Sequence, residues 1–387
     1  MRIQSIEANN FKSLVDFKLD LVKFNCLIGL NGSGKSTVLQ FIDFLSQLVR
    51  GDVKGWLGER HWKSGDLKSK LTSKKNIKFF VRFANPDGAP TGHWEATFSP
   101  SSNRCIKERF DLGGVELKAS RDSVVIKKPT SQRAFIPFDY EGSVLSAFKE
   151  ELLPPSILEC KKFLYDVKSL DLLDPEHLRY RTKESSGTLG LGGKNLSAFV
   201  HEMSDQKRQK LVAKLRIAYP QLQGVHAKPI QSGWKQIEIS ESYEGSEPGF
   251  FPSLTTEARH VNDGMLRLMA ILAELQSEHR FVLFDEIENG INPELVEFVI
   301  DNLVNASQQV LVTTHSPMIL NYLDDQTATA GVIYLYKTPQ GHTKSIPFFS
   351  IPSLAKKLTV MGPGEAFVDT NLTQLASEIA EMAAEEA

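Results

Sequence analysis

The hydrophobic pattern changes period several times along the chain. Arg2-Ile3-Gln4-Ser5-Ile6-Glu7-Ala8 alternates polar and apolar positions, and Phe17-Lys18-Leu19-Asp20-Leu21 alternates again, so both predict β-strands. Phe24 to Ile28 is continuously apolar and reads as a buried strand. Thr37 to Leu45 is apolar at helical spacing and predicts a helix reaching about Arg50-Gly51. Residues 52–78 are polar and lysine-rich, with Trp56 and Trp62 as isolated apolar anchors. Strands are predicted at 76–83, 92–98 and within 105–126, with Asn85-Pro86-Asp87-Gly88 as a turn. From about 143 to 218 the pattern becomes helical, broken by a glycine-rich loop at 184–195.

Strands return at 225–240, and residues 244–255 read as loop. A helix at 264–278, a buried strand at 280–285, a helix at 293–306 and strands at 309–313 and 331–337 follow. That alternation implies an α/β fold with a parallel sheet. The tail carries one expected helix, Leu372 to Glu385, whose Leu372, Leu375, Ile379 and Met382 fit docking on the rest of the chain or on a partner. Glu378, Glu381, Glu385 and Glu386 read as its solvated acidic side. Neither an internal repeat nor a sustained heptad is evident.

Composition narrows the classes. A chain of 387 residues, 41% hydrophobic and 24% charged, can bury a sizeable core in two or three domains. Its net charge of −2 supplies no global attraction to nucleic acid, so DNA contact would need a local patch or a partner. Two basic segments are candidates: residues 60–78, and Lys207, Arg208, Lys210, Lys214 and Arg216. Lysine runs of this kind are more often solvated surface. The three cysteines, Cys26, Cys105 and Cys160, form no C-x-x-C pair, which argues against a zinc site or a disulfide scaffold. With neither a signal core nor a membrane-length apolar run, a cytoplasmic chain is expected.

Chemistry concentrates at two places. Gly29-Leu30-Asn31-Gly32-Ser33-Gly34-Lys35-Ser36 is a complete G-x-x-x-x-G-K-[ST] loop between a buried strand and a helix. Glycines let backbone N–H groups turn inward around phosphate oxygens, and the helix N-terminus adds its dipole. Asn31, Gly32, Ser33, Gly34, Lys35, Ser36 and Thr37 are therefore the expected nucleotide-binding residues, with Lys35 on the β- and γ-phosphates and Ser36 on Mg²⁺. The second place is Phe281-Val282-Leu283-Phe284-Asp285-Glu286, a buried strand ending in two acids. Asp285 is expected to hold Mg²⁺ and Glu286 to deprotonate the attacking water.

The two motifs lie 250 positions apart (285 − 35), so the expectation is one nucleotide site assembled from both ends of the chain. The boundaries that follow are residues 1–142 and 221–345 for two parts of an ATPase head, 143–220 for a helical insertion and 346–387 for the tail.

The ordered set of segments resembles the ABC-type ATPase heads of the SMC, RecF and OLD group. Ile6-Glu7-Ala8-Asn9-Asn10-Phe11-Lys12-Ser13-Leu14 resembles that group's first strand and its "NFKS" turn. Val261-Asn262-Asp263-Gly264-Met265-Leu266 resembles its signature motif, with Asn262 where serine is usual. Phe281 to Glu286 with Asn289-Gly290-Ile291-Asn292-Pro293 resembles the Walker B strand and D-loop. Val310-Leu311-Val312-Thr313-Thr314-His315-Ser316-Pro317 resembles the switch strand.

The resemblance covers roughly residues 1–50 and 255–320, and it has no counterpart for the group's Q-loop glutamine. It implies an ABC-type head with a mixed or parallel sheet, an antiparallel β lobe, a helical insertion and no long coiled coil. It implies ATP and Mg²⁺ as ligands, Lys12 near the nucleotide and His315 on the γ-phosphate. Asn262, Asp263 and Gly264 would act across a homodimer or higher homo-oligomer. It is nearest to compact bacterial AAA-family and OLD-like anti-phage ATPases, which work with a TOPRIM-type nuclease, fused or separate. The expectation is a Mg²⁺-dependent ATPase that senses or acts on nucleic acid and controls a separate nuclease or effector, without a membrane partner. A RecF-like repair ATPase and an ATP-binding scaffold that sequesters an effector are the alternatives.

Overall fold

The computed structural model describes residues 1–120, 123–127, 131–135 (backbone), 139–170, 173–244 and 252–371, with 375, 378, 379 and 382 of the tail. The chain divides into two compact units, residues 1–169 with 309–387, and residues 170–308. Chain order in the first unit begins β1 (Arg2–Asn9), β2 (Phe17–Asp20), β3 (Phe24–Ile28), β4 (Ile77–Ala84) and β5 (Pro90–Ser99). It continues β6 (Arg104–Leu112), β7 (Val115–Ser120), β8 (Ser123–Lys127) and β9 (Ser131–Phe135), and β10 (Val167–Leu170) leads out of it. The second unit holds β11 (Leu222–Pro229), β12 (Lys235–Ser242), β13 (Ser253–Glu257) and β14 (Phe281–Phe284). The first then regains β15 (Gln309–Thr313), β16 (Val332–Lys337) and β17 (Thr343–Pro347).

Eight strands of the first unit form an antiparallel sheet in the order β2-β1-β4-β5-β6-β7-β8-β9. A second set is built on β3, which pairs in parallel with β15 on one side and β16 on the other, while β17 closes the edge antiparallel to β16. This is the mixed-plus-antiparallel α/β arrangement that the sequence implies. The Lys35–Arg50 helix packs its apolar side on the antiparallel sheet. Phe41 meets Phe79 of β4 edge-on at 6.1 Å, and Phe44 meets Phe98 of β5 edge-on at 5.0 Å. Phe11, from the turn after β1, fills the space beside both rings. Each wholly buried phenylalanine contributes about 1.5–3 kcal/mol, so this cluster fixes where the phosphate-loop helix sits.

Three stretches differ from the sequence reading. Residues 52–78 contain a short helix, Val53–Glu59, that buries Val53, Trp56 and Leu57. That i, i+3, i+4 triplet is easily overlooked between Gly55 and Gly58. Trp56 donates its indole N–H to Asp43 at 2.5 Å, and Arg60 pairs with the same carboxylate at 3.1 Å, so Arg60 is a structural cation rather than part of a solvated patch. The helical stretch of 143–218 is interrupted by β10, while Pro155–Tyr165, Leu196–Glu202 and Asp205–Ala218 are its longer helices.

The C-terminal part holds two helices read as tail, Pro352–Leu358 and Pro363–Val368, each opened by proline at its first position. The expected 372–385 helix lies largely outside the described residues. Of its positions, Leu375 and Ile379 are buried. Glu378 accepts hydrogen bonds from Ser353 N (2.9 Å) and Ser353 Oγ (2.6 Å). It thereby caps the Pro352–Leu358 helix, whose own N-cap residue, Ile351, has no side chain able to do so.

In the second unit, β11, β12 and β13 form an antiparallel sheet, with β13 starting inside the stretch read as loop. The Asp263–Glu274 helix is buried from Met265 to Glu274, the pattern of a core helix. The basic residues of the Asp205–Ala218 helix are largely engaged internally. Lys207 pairs with Glu278, Lys214 donates to Asn302, and Arg216 donates to the carbonyls of Leu222 and Gln223. Among the described residues no helix is long and apolar enough to cross a membrane.

Candidate functional site

The loop Gly29–Ser36 leaves the C-terminal end of β3, where open α/β sheets bind ligands. Glycine is required at two of its positions for stated reasons. Gly29 has φ +146° and passes so close to β16 that a Cβ would stand 2.3 Å from the Leu335 carbonyl oxygen. Gly34 has φ +112°, and its Cβ would stand 2.4 Å from Thr343 Oγ1. Both conformations lie in the left-handed region that side chains disfavour. Gly34 is also the N-cap of the Lys35–Arg50 helix and supplies no side-chain cap, an arrangement that suits an anion at the helix terminus.

Lys35 is only 5% exposed and folds back over the loop, donating to the carbonyls of Gly29 (2.8 Å) and Leu30 (3.3 Å). Asn31, Gly32 and Ser36 are exposed and Thr37 is half-buried. The Ser33 hydroxyl is buried without a hydrogen-bond partner among the described residues, which suits a loop shaped around a ligand.

Two further expected residues belong to the same unit. The parallel register of β15 on β3 sets Thr313 opposite Leu27, so the turn after β15 emerges beside the loop. His315 lies in that turn, exposed, with Nδ1 3.4 Å from Lys35 Nζ. Lys12 adopts φ +46° in the "NFKS" turn, donates to Gln40 Oε1 at 2.7 Å and stands 3.4 Å above the Trp62 ring. Gln40 is one turn beyond Ser36, so Lys12 is fixed against the phosphate-loop helix.

The other expected residues belong to the second unit. Asp285 and Glu286 follow β14 and are half-buried. Glu286 has φ +48°, a rare conformation for a residue with a Cβ, held by the Asn289 N–H on its carbonyl at 2.9 Å. Strain of this kind, of order 1–3 kcal/mol, persists at functional positions. Asn262 caps the Asp263–Glu274 helix by accepting from Met265 N at 2.8 Å. Asp263 is held by Arg179, which also donates to the Val261 carbonyl at 2.7 Å. Gly264 lies beside the turn after the acids: its Cβ would be 3.2 Å from the Gly290 carbonyl oxygen.

Arg267, 7% exposed, joins the same two segments by donating to the Asn289 carbonyl, while Gly290 packs on its guanidinium. Burial pulls the Arg267 pKa below its ordinary value, against the opposing pull of Asp263, Asp174 and Glu286.

Among the described residues no group of three or more His, Cys, Asp or Glu could hold a metal alone. Mg²⁺ in phosphoryl transfer needs only one or two protein oxygens beside the phosphates, and the exposed Ser36 hydroxyl and the half-buried Asp285 are of that type. The sequence did not reveal Thr343, Arg179 or Arg267. The αL glutamate also carries no local sequence signal.

Residues 1–108 match the family described as "AAA ATPase domain", and residues 253–321 match "AAA domain, putative AbiEii toxin, Type IV TA system". No curated protein matches the chain. Among solved structures, an SMC head bound to the C-terminal winged-helix domain of ScpA aligns with TM-score 0.57 at 15% identity, covering 89% of this chain and 97% of that one. A Pyrococcus furiosus SMC head with an extended coiled coil, bound to the C-terminal domain of ScpA, aligns with TM-score 0.52 at 13% identity, covering 92% and 99%. These structures show the fold, an α/β fold like that of an SMC head. The two family matches support an ATPase and fall at the two ends where the motifs lie.

Proposed function

We propose that the chain is an ATP hydrolase, and that it works as a homodimer or higher homo-oligomer. The observation that carries this reading is the open phosphate loop. Its helix N-terminus is uncapped, its lysine is folded over it, and His315 stands 3.4 Å from that lysine. In this reading Asn31, Gly32, Ser33, Gly34 and Thr37 cradle phosphate through the loop backbone and helix terminus. Lys35 binds the β- and γ-phosphates.

Glu286 accepts a proton from water as that water attacks the γ-phosphorus and the bond to the β-γ bridging oxygen breaks, giving ADP and phosphate. His315 contacts the γ-phosphate and Lys12 lies by the nucleotide. Ser36 and Asp285 are the residues that would hold Mg²⁺, which when bound neutralises phosphate charge. Asn262, Asp263 and Gly264 meet the γ-phosphate of a second protomer.

The biological role we propose is bacterial anti-phage defence, with the ATPase controlling a separate nuclease or effector and DNA as a possible trigger. The toxin–antitoxin wording of the family matched over residues 253–321 supports this over RecF-like repair. A TOPRIM-type nuclease encoded beside the gene would strengthen it, whereas a replication gene there would favour repair. The catalytic reading is tested with Glu286→Gln. Turnover should fall about a hundredfold or more, the contribution typical of a general base, while ATP now holds the protein as a dimer in light scattering. A variant that hydrolyses ATP at the native rate would reject Glu286 as the base.

A further inference from the structure

We infer that Thr343 is a positioning residue that sets the orientation of the Ser33–Gly34 peptide, and through it the Gly34 N–H that meets phosphate. The inference rests on the nucleotide-binding reading of the loop. Thr343 opens β17 and is wholly buried. Its Oγ1 has three polar neighbours: the Ser33 carbonyl oxygen at 2.9 Å, Lys337 Nζ at 2.9 Å and Ser13 Oγ at 2.8 Å.

Valence decides the direction of each bond. A carbonyl only accepts, so Thr343 gives Ser33 its single proton. An ammonium only donates, so Lys337 occupies one lone pair. The second lone pair is left for the Ser13 hydroxyl, which must therefore be the donor. Thr343 N also donates to the Ser13 carbonyl at 2.9 Å, so backbone and side chain are both anchored.

The consequence for the loop follows from peptide planarity. In a trans peptide the C=O and the N–H point in opposite directions. Thr343 draws the Ser33 carbonyl towards itself, so the N–H of the same peptide, which belongs to Gly34, points away from Thr343. Glycine at position 34 makes this control necessary. A residue without Cβ accepts either orientation of the preceding peptide at little cost, so the local sequence does not choose between them. The same absence of Cβ lets the Thr343 hydroxyl approach, since a Cβ at Gly34 would stand 2.4 Å from it.

The test measures binding of the fluorescent analogue mant-ATP with Mg²⁺ to the full chain, its Thr343→Val and Thr343→Ser variants, and Lys35→Ala. Valine keeps the shape but takes the donor from the Ser33 carbonyl and leaves Lys337 with the Gly341 carbonyl alone, so affinity should fall about tenfold. Serine keeps the hydroxyl and should bind within twofold of the native chain. Melting temperatures without nucleotide should agree within a few degrees, which separates positioning from a loss of fold.

If Thr343→Val binds like the native chain while Lys35→Ala does not, the inference is overturned and the nucleotide reading stands. Equal weakening in the valine and serine variants overturns it too, because shape rather than the hydroxyl would then matter. If Lys35→Ala binds as tightly as the native chain, the nucleotide reading fails and the inference falls with it. Should Thr343→Val not fold, Lys337→Met, at an exposed position, replaces it. Loss of the ammonium makes the Thr343 hydroxyl a weaker donor to the Ser33 carbonyl, and about threefold weaker binding is expected, with native affinity counting against the inference.

Discussion

The proposed function puts phosphate at two helix N-termini, and they are built in opposite ways. The Lys35–Arg50 helix begins at a left-handed glycine with no side-chain cap. The Asp263–Glu274 helix begins at Asn262, whose side chain already accepts from Met265 N, and its first residue is held by Arg179. The first terminus is preorganised for an anion. The second is satisfied by its own side chains, so a phosphate there must displace or add to an existing cap. That difference suits a loop that holds nucleotide in one protomer and a signature segment that engages only when a second protomer brings a γ-phosphate.

The sharpest way to break this contrast is to put one methyl group at each terminus. Gly34→Ala meets both a φ of +112° and the Thr343 hydroxyl. Strain and steric conflict together should weaken ATP binding roughly a thousandfold, measured by titration calorimetry. Gly264→Ala has no positive φ and meets only a 3.2 Å contact with the Gly290 carbonyl. Its melting temperature should correspond to a change within about 1 kcal/mol, and its binding of ATP as a monomer should be native.

A pH titration examines the far end of the open helix. Glu108 is buried in β6, accepts hydrogen bonds from Ser143 Oγ and Val144 N at 2.6 Å each, and is pushed by burial up to about 7. The Ser143 N–H in turn donates to the Leu48 carbonyl at 2.7 Å, near the end of the phosphate-loop helix. A carboxyl whose folded pKa exceeds its unfolded value of 4.5 binds its proton more tightly when folded. Its contribution is therefore complete below pH 4.5 and is lost as pH rises to about 7. The loss should be about 3 kcal/mol, seen as a falling denaturation midpoint that Glu108→Gln flattens. A midpoint that rises over this window in the native chain but not in Glu108→Gln would refute the assignment.

Smaller effects sharpen the closed terminus. Asn262→Ala removes the cap and should cost about 1 kcal/mol, whereas Asn262→Ser should be nearly neutral, because serine caps as well. Equal losses in the two would show that the cap is not what Asn262 supplies. Smallest is Arg179→Ala. Its pair with Asp263 is partly exposed, so about 0.5 kcal/mol is expected by chemical denaturation.

Much of the architecture could be read from local pattern. The alternation before residue 21, the apolar run at 24–28, the glycine loop and the buried strand with terminal acids each announce their element through a period or a conformational demand of a few neighbouring residues. The short Val53–Glu59 helix escaped because two glycines dilute its pattern. The Glu378 cap escaped because its partner, Ser353, is 25 positions away.

The candidate residues of the phosphate loop were legible because glycine, lysine and serine at fixed spacing carry their chemistry locally. What holds the loop in shape was not. Thr343 reaches Ser33 across 310 positions and Lys35 meets His315 across 280. No periodicity records such pairs, since they exist only once strands from distant parts of the chain share a register. Sequence determined which residues could bind phosphate. Tertiary structure decided which way the loop's peptides face, because hydrogen-bond direction depends on what lies across the gap and not on what comes next in the chain.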